Sequence, residues 1–553
     1  MKTLIWPVLT VLGVLWLTTH HSRTVSNQTV ATSGNQDVVQ SIDLGNENQS
    51  LVQEVNQELE RLRSEANLKV ARPADDLTIY RRLSLALHGT IPSLEEIRNF
   101  EADKKPNRIE RWLDTMLQDA RFADYFAERL GRSYVGVETG QFLVFRRDRF
   151  LDWLSQELKN NRPYDEIVTD MISGTGVWTG EGEVNFLTSA FANDEFDPDK
   201  LTARSVRAFL GQRIDCAQCH DHPFDHWEQG EFEGLAAHFG QVQLSLAGVV
   251  DGKKKTHQVI DSLTSEERTV EPAVPFHPEW LGAEGPRRVR LARWMTHPEN
   301  KRFERATVNR VWGLMFGKPF VVHRPVDDLP DPESDPDTKV LDILGEAFQQ
   351  NGYDLRQLIQ TIVATDAYRM TSVYPMKSFS KNSQVSDSLE EEELQRAKER
   401  WAVFPLVRLR PEQVIGSMLQ SNNIHTVNQN SHLFIRALRF FRENDFVDEF
   451  GDPGVEELQD WSGTISQALL RMNGELSREL SSLNPFFAPG RIAATASTPM
   501  QQIETIYLTC LTRRPSLEEM TYFSKRFEED PADEAVEDLY WALFNSPEFS
   551  WNH

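Results

Sequence analysis

The chain is poor in positive charge: 59 Lys and Arg stand against 84 Asp and Glu, a formal net charge of −25 over 553 residues. A surface of that sign repels phosphate backbones, which argues against nucleic acid as a partner and favours basic partners. No glycine-rich phosphate-cradling loop, no G-x-S-x-G elbow and no H-E-x-x-H pair occurs. The usual signatures of phosphate-loop, α/β-hydrolase and zinc-protease chemistry are therefore missing. Alternating apolar and polar runs are scarce, which leaves little sheet signal; "QVQLSLAGVV" (241–250) is the best short β candidate. Beyond the N-terminus no run is apolar enough to span a bilayer. Cysteine is down to three residues, and two of them, Cys216 and Cys219, sit within four positions of each other.

What is there reads as helix. "NRIERWLDTMLQD" places Ile109, Trp112, Leu113, Met116 and Leu117 on one face, and "KVLDILGEAFQQN" does the same with Leu341, Leu344 and Phe348. The expected fold is mainly α: a multi-helical two-domain protein with long irregular connections and at most minor β. Residues 1–21, with an apolar run from Leu4 to Leu17, read as an export signal or N-terminal anchor. Residues 22–50, rich in Ser, Thr, Asn and Gln, read as a flexible spacer. Helical domains are expected over 51–245 and 281–553, joined by a connection over 246–280. "RPVDDLPDPESDPD" (324–337) must be loop, and 376–400 a solvated linker or exposed helix. "PSLEEIRNF" (92–100) recurs as "PSLEEMTYF" (515–523), each with a Ser-x-x-Glu capping box. Asp165 and Asp354 each precede an apolar helix. Cys510 shares its helix face with Ile503, Ile506 and Tyr507 and is expected to be a buried thiol.

The chemistry concentrates in "RIDCAQCHDHPFDHWEQGEFEGLAAHFG". C-x-x-C-H is the attachment signature of c-type haem: Cys216 and Cys219 would reach the vinyl groups and His220 the iron. Possible sixth ligands are His238, His257, Met171 and Met295. Zinc is the first alternative, with Cys216, Cys219, His222 and His226 as ligands, although the gap from Cys219 to His222 is short for a four-ligand knot. His238 is a further possible metal ligand. A Cys216–Cys219 disulfide, with no cofactor, is the other alternative. Asp215, Asp221 and Asp225 could orient imidazole N–H groups. The acidic stretches 193–200 and 327–337 lack calcium-loop spacing and read as solvated turns.

These motifs resemble the exported planctomycete proteins that pair domain of unknown function 1549, a cytochrome-type domain, with domain of unknown function 1553. "YRRLSLALHGTIPS" (80–93), "ARFADYFAERLGRSYV" (120–135) and the cysteine stretch carry the first resemblance. "RRVRLARWMTHPENKRFERATVNRVWGLMFGKPFV" (287–321), "LDILGEAFQQNGYDLRQLIQTIVATDAYR" (341–369) and "LTRRPSLEEMTYF" (511–523) carry the second. The resemblance implies haem c at Cys216, Cys219 and His220, redox work or electron transfer outside the cytoplasm, and a redox partner protein. The Leu4–Leu17 run leaves membrane association to the N-terminal segment alone, and export implies a periplasmic or cell-surface location. A non-catalytic binding or scaffold protein and an exported glycan-active hydrolase are the alternatives. Arg81, Arg82, Asn309, Arg310, Asp327 and Asp328 also match family motifs, with holding the two domains together as their expected role. Arg310, set between apolar residues, is expected to have a carboxylate partner. Ala86 stands where the family pattern has Asp.

Overall fold

The Lys301–Phe316 helix is buried from Phe303 to Phe316 without interruption. A helix covered on all sides belongs at the centre of a protein. In this computed structural model it packs against the Asp76–His88, Pro198–Leu210, Lys339–Gln350 and Leu355–Ala364 helices. The structure describes residues 46–137, 144–192, 195–260, 265–375, 384–428, 474–529 and 532–553, with single positions between 458 and 472. The apolar run from Leu4 to Leu17 and the spacer up to residue 45 lie outside the described residues. Leu44–His553 forms one compact unit. A helix from the second half of the sequence is thus wrapped by helices from both halves. Among the described residues no helix is long and apolar enough to cross a membrane.

The fold is mainly α, and the strands among the described residues form only two-stranded pairs. The expected β stretch folds as a hairpin, Val242–Ser245 against Gly248–Asp251. A second hairpin, His257–Ile260 with Glu267–Val270, lies in the segment read as a connection. Its strands are short and polar, so period-two alternation never emerges. The 376–400 segment contains the Gln384–Glu399 helix.

Both capping boxes form. The Glu96 N–H donates to Ser93 Oγ at 3.0 Å and Glu96 returns to the Ser93 N–H at 2.8 Å. Glu519 and Ser516 do the same at 3.2 and 2.7 Å. Asp354 caps the Leu355–Ala364 helix through the Gln357 N–H. Asp165 instead sits inside the first turn of the Tyr164–Ser173 helix, because Pro163 takes the cap position.

The arginine pair near the start of the chain ties distant segments together. Arg81 donates to the Cys510 and Phe549 carbonyls, and Arg82 to main-chain oxygens of Tyr368, Met370 and His553. Cys510 is fully buried, with Ile503, Ile506 and Tyr507 beside it in the second apolar cluster.

Glu304 is a charged-type residue at the buried start of the central helix, opposite Gly345 of the facing helix. Burial, then Glu346, pushes its carboxyl up to about 8. In the unfolded chain the group ionises near 4.5, so between about 4.5 and about 8 only the folded state keeps the proton, and stability falls as pH rises. Glu304→Gln is expected to raise the unfolding free energy by about 1–3 kcal/mol near pH 8 and by almost nothing near pH 4. Urea titrations at the two pH values check this; a gain independent of pH would show that the carboxyl is not the cause.

Candidate functional site

The approach to the cysteine turn is set by the Pro198–Leu210 helix. It opens with the Asp197 carboxylate accepting from the Lys200 N–H at 2.9 Å and closes on Gly211 at φ +64°. That left-handed conformation suits glycine, and a Cβ there would also meet Ala306 at 3.1 Å. The Gly211 carbonyl accepts from the Leu329 N–H at 2.8 Å, and Gln212 Nε2 donates to the Leu329 carbonyl at 2.8 Å. Arg213 then pairs with Asp327 at 2.8 Å. The segment is therefore stitched to the 324–337 loop before the cysteines begin.

Cys216 lies in a 3₁₀ turn, Asp215–Gln218, which Cys219 closes as its C-cap and the fully buried Ile214 and Ala217 pin. The Ala217 N–H donates to the Ile214 carbonyl at 2.9 Å and the Cys219 N–H to the Cys216 carbonyl at 3.3 Å. Both thiols are exposed and free. The following stretch to His226 has Phe224 as its only large apolar side chain, and that ring is 93% exposed.

The imidazoles go to separate places. His220 is exposed, with Nδ1 2.7 Å from the Asp221 carbonyl oxygen. A proton on Nδ1 makes this a hydrogen bond to the carbonyl and leaves the Nε2 lone pair available. The His222 N–H donates to the Trp227 carbonyl at 2.8 Å. His226 lies over Trp227, with Nδ1 2.7 Å from Asp225. His238 is buried with Nδ1 3.1 Å from the Gly234 carbonyl, and burial pulls its ring down to about 4. Among the described residues no three His, Cys, Asp or Glu side chains gather as a metal-binding group.

Of the three aspartates expected to orient imidazoles, Asp225 alone does so through its carboxylate. The Asp215 carboxylate pairs with Arg207 at 2.7 Å, and Asp221 accepts from the Gln229 N–H at 2.9 Å. The backbone carbonyl of Asp221 is what holds His220. Met171 and Met295 are core residues. His257 is buried, 3.7 Å from Asp199, which in turn accepts from Gln218 of the turn at 3.3 Å. In the acidic 327–337 stretch Asp331 pairs with Arg302 and Asp335 caps a 3₁₀ turn. Asp328 faces Arg324 at 4.0 Å.

Beside the turn lies a cavity of about 390 Å³ that the sequence reading missed. Asp215 and Gln218 form part of its wall, with Lys200, Arg204 and Arg207 from the helix and Arg310 from the central helix. The expected carboxylate partner of Arg310 is not there. The residue is 5% exposed, its Nε has no partner, and its guanidinium makes no hydrogen bond or ion pair among the described residues. The physical reason is that this side chain borders the cavity rather than facing an acidic helix. Its neighbour Asn309 braces the loop, donating to the Val326 carbonyl at 2.9 Å and accepting from the Phe320 N–H at 2.8 Å. Arg204 and Arg207, three apart on one helix, were the available signal, but Arg310 is a hundred residues away in sequence. Ala86 borders a smaller cavity of about 80 Å³, shared with Arg129, Arg408 and Arg410.

Two family models match the chain. Residues 54–244 match PSCyt2, a protein of unknown function (DUF1549), and residues 287–527 match PSD1, a protein of unknown function (DUF1553). No curated protein and no solved structure matches.

Proposed function

We propose that this chain, which belongs to the proteins pairing a DUF1549 region with a DUF1553 region, carries one haem c on Cys216, Cys219 and His220 and serves electron transfer outside the cytoplasm. One observation carries the reading. Two free, exposed thiols sit in and at the end of one short turn, and the next residue is an exposed histidine whose Nδ1 is held by a backbone carbonyl.

The chemistry of that donor set fits the group. Cys216 and Cys219 would hold it by thioether bonds, and His220 would present Nε2 to the iron. When bound, a c-type haem supplies one-electron transfer at its iron. The chain's own contribution is positional. Ile214 and Ala217 anchor the turn in the core, so the thiols do not wander. The Asp221 carbonyl, accepting from Nδ1–H, fixes the His220 tautomer and leaves the Nε2 lone pair free to bind. The neighbouring cavity has charged walls and is not the apolar slot a haem plane takes; the apolar surface on offer is exposed Phe224. Such an exposed site suits transfer to a protein partner, and the net charge of −25 favours a basic one. The apolar run from Leu4 to Leu17 supports export, where covalent haem attachment takes place.

Expression in a host that matures c-type cytochromes tests this. The wild-type chain is expected to gain the mass of one haem and a c-type reduced-minus-oxidised spectrum. The Cys216→Ser/Cys219→Ser double variant should lose both, and His220→Ala should keep the mass while shifting the spectrum. A wild-type chain that leaves such a host without the added mass ends the reading. Loss of two hydrogens would then select the disulfide, and bound zinc the metal knot.

A further inference from the structure

We infer that the arginine-lined cavity beside the cysteine turn binds a small hydroxylated monocarboxylate, seated on Arg310. The inference goes beyond the haem proposal and does not rest on it.

Arg310 is the starting point. A guanidinium buried to this degree, with Nε unpartnered, is held at a cost unless something supplies an acceptor. The two phenols nearest in charge effect, Tyr134 and Tyr164, hydrogen-bond to each other and supply no anion. The space in front is about 390 Å³, within the range of small-molecule sites.

The wall decides the ligand's charge. Two of its carboxylates pair with arginines, and the other two accept hydrogen bonds from neutral donors. Asp215 pairs with Arg207, Asp327 pairs with Arg213, Asp197 accepts from the Lys200 N–H, and Asp199 accepts from Gln218. Arg310 is the buried cation they leave unmatched. A single negative charge balances it, whereas a dianion would meet four nearby carboxylates. The flat guanidinium matches a carboxylate through two parallel hydrogen bonds. The aspartate oxygens around it remain acceptors, which suits hydroxyl groups on the same ligand. In a chain of net charge −25 such a cationic recess is against the trend of the whole surface.

Calorimetric titration of the purified full chain with D-gluconate, sorbitol and inorganic phosphate, at matched ionic strength, tests the assignment. Gluconate is expected to bind saturably, phosphate more weakly, and neutral sorbitol not at all. Arg310→Gln should weaken gluconate binding about tenfold or more. Lys200→Gln, an exposed change that leaves the fold intact, should weaken it about twofold to fivefold. Should Arg310→Gln fail to fold, amide exchange of the wild-type chain replaces it, with gluconate expected to slow exchange at Val326 and Asp327. The Cys216→Ser/Cys219→Ser variant should bind as the wild type does, which separates this result from the fate of the haem proposal. Sorbitol binding as well as gluconate, phosphate binding more tightly, or full affinity in Arg310→Gln would overturn the inference. So would the absence of saturable binding for gluconate, glucuronate and lactate alike.

Discussion

Replacing Arg82 by methionine is expected to lower the unfolding free energy by about 3–5 kcal/mol, enough to push much of the chain out of the soluble fraction. The side chain is completely buried, and among the described residues no Asp or Glu side chain pairs with it. Its guanidinium donates to main-chain oxygens of His553 at 2.8 Å, Tyr368 at 2.9 Å and Met370 at 2.7 Å, and lies 3.5 Å from the Phe404 ring centre. Burial lowers its pKa to about 9, a sign of how far it is removed from water. Methionine fills much of the volume but strands two buried acceptors and a half-buried one, and an unmatched buried polar group costs about 1–3 kcal/mol. Lysine should rescue only in part, because a point-like ammonium cannot reproduce a planar fork reaching three oxygens. Arg98→Met, at a half-exposed position paired with Glu101, is expected to stay within about 0.5 kcal/mol of wild type. Urea midpoints of the three variants decide it. A loss below about 1 kcal/mol for Arg82→Met would mean that water replaces the guanidinium.

The second large effect is on acid stability. Burial holds His238 down to about 4 against an ordinary 6.5, and it also pulls His88 down, with Arg121 adding to the shift. His88 keeps Nε2 3.2 Å from the Met116 carbonyl while its Nδ1 has no partner. The unfolded chain takes up protons at both rings near pH 6.5, while the folded chain resists until about pH 4. Across that window the unfolded state binds more protons, so acidification favours it. The expected loss between about pH 6.5 and about pH 4 is up to ~3 kcal/mol for His238, with a further contribution from His88. His238→Gln combined with His88→Gln should be less stable near neutrality but lose much less on acidification. Urea titrations at several pH values measure the slope; an unchanged slope in the double variant would assign it to other groups.

Local features of this protein were legible in the sequence, and distant ones were not. Ile109, Leu113, Met116 and Leu117 are buried as their spacing implies, and the Ser93 and Ser516 caps form because capping needs only neighbouring residues. The cysteine turn could be read for the same reason. Arg82 could not, since its partners are backbone oxygens that any residue type carries. The anchoring of His220 by the Asp221 carbonyl rather than a carboxylate has the same cause. The arginine cavity draws its wall from residues 132 to 458, and no window along the chain contains it. Arg310 looked like half of an ion pair because buried arginines usually have one; only the packed structure reveals the empty volume in front of it.

The helix Lys301–Phe316 has a consequence for inheritance. It lies in the stretch matched by one family model, and two of the helices around it, Asp76–His88 and Pro198–Leu210, lie in the stretch matched by the other. Each half therefore supplies solvent exclusion for the other. A recombination event that carried off either half would leave a wide apolar face with nothing to cover it. The two matched regions therefore share one packed core around this helix.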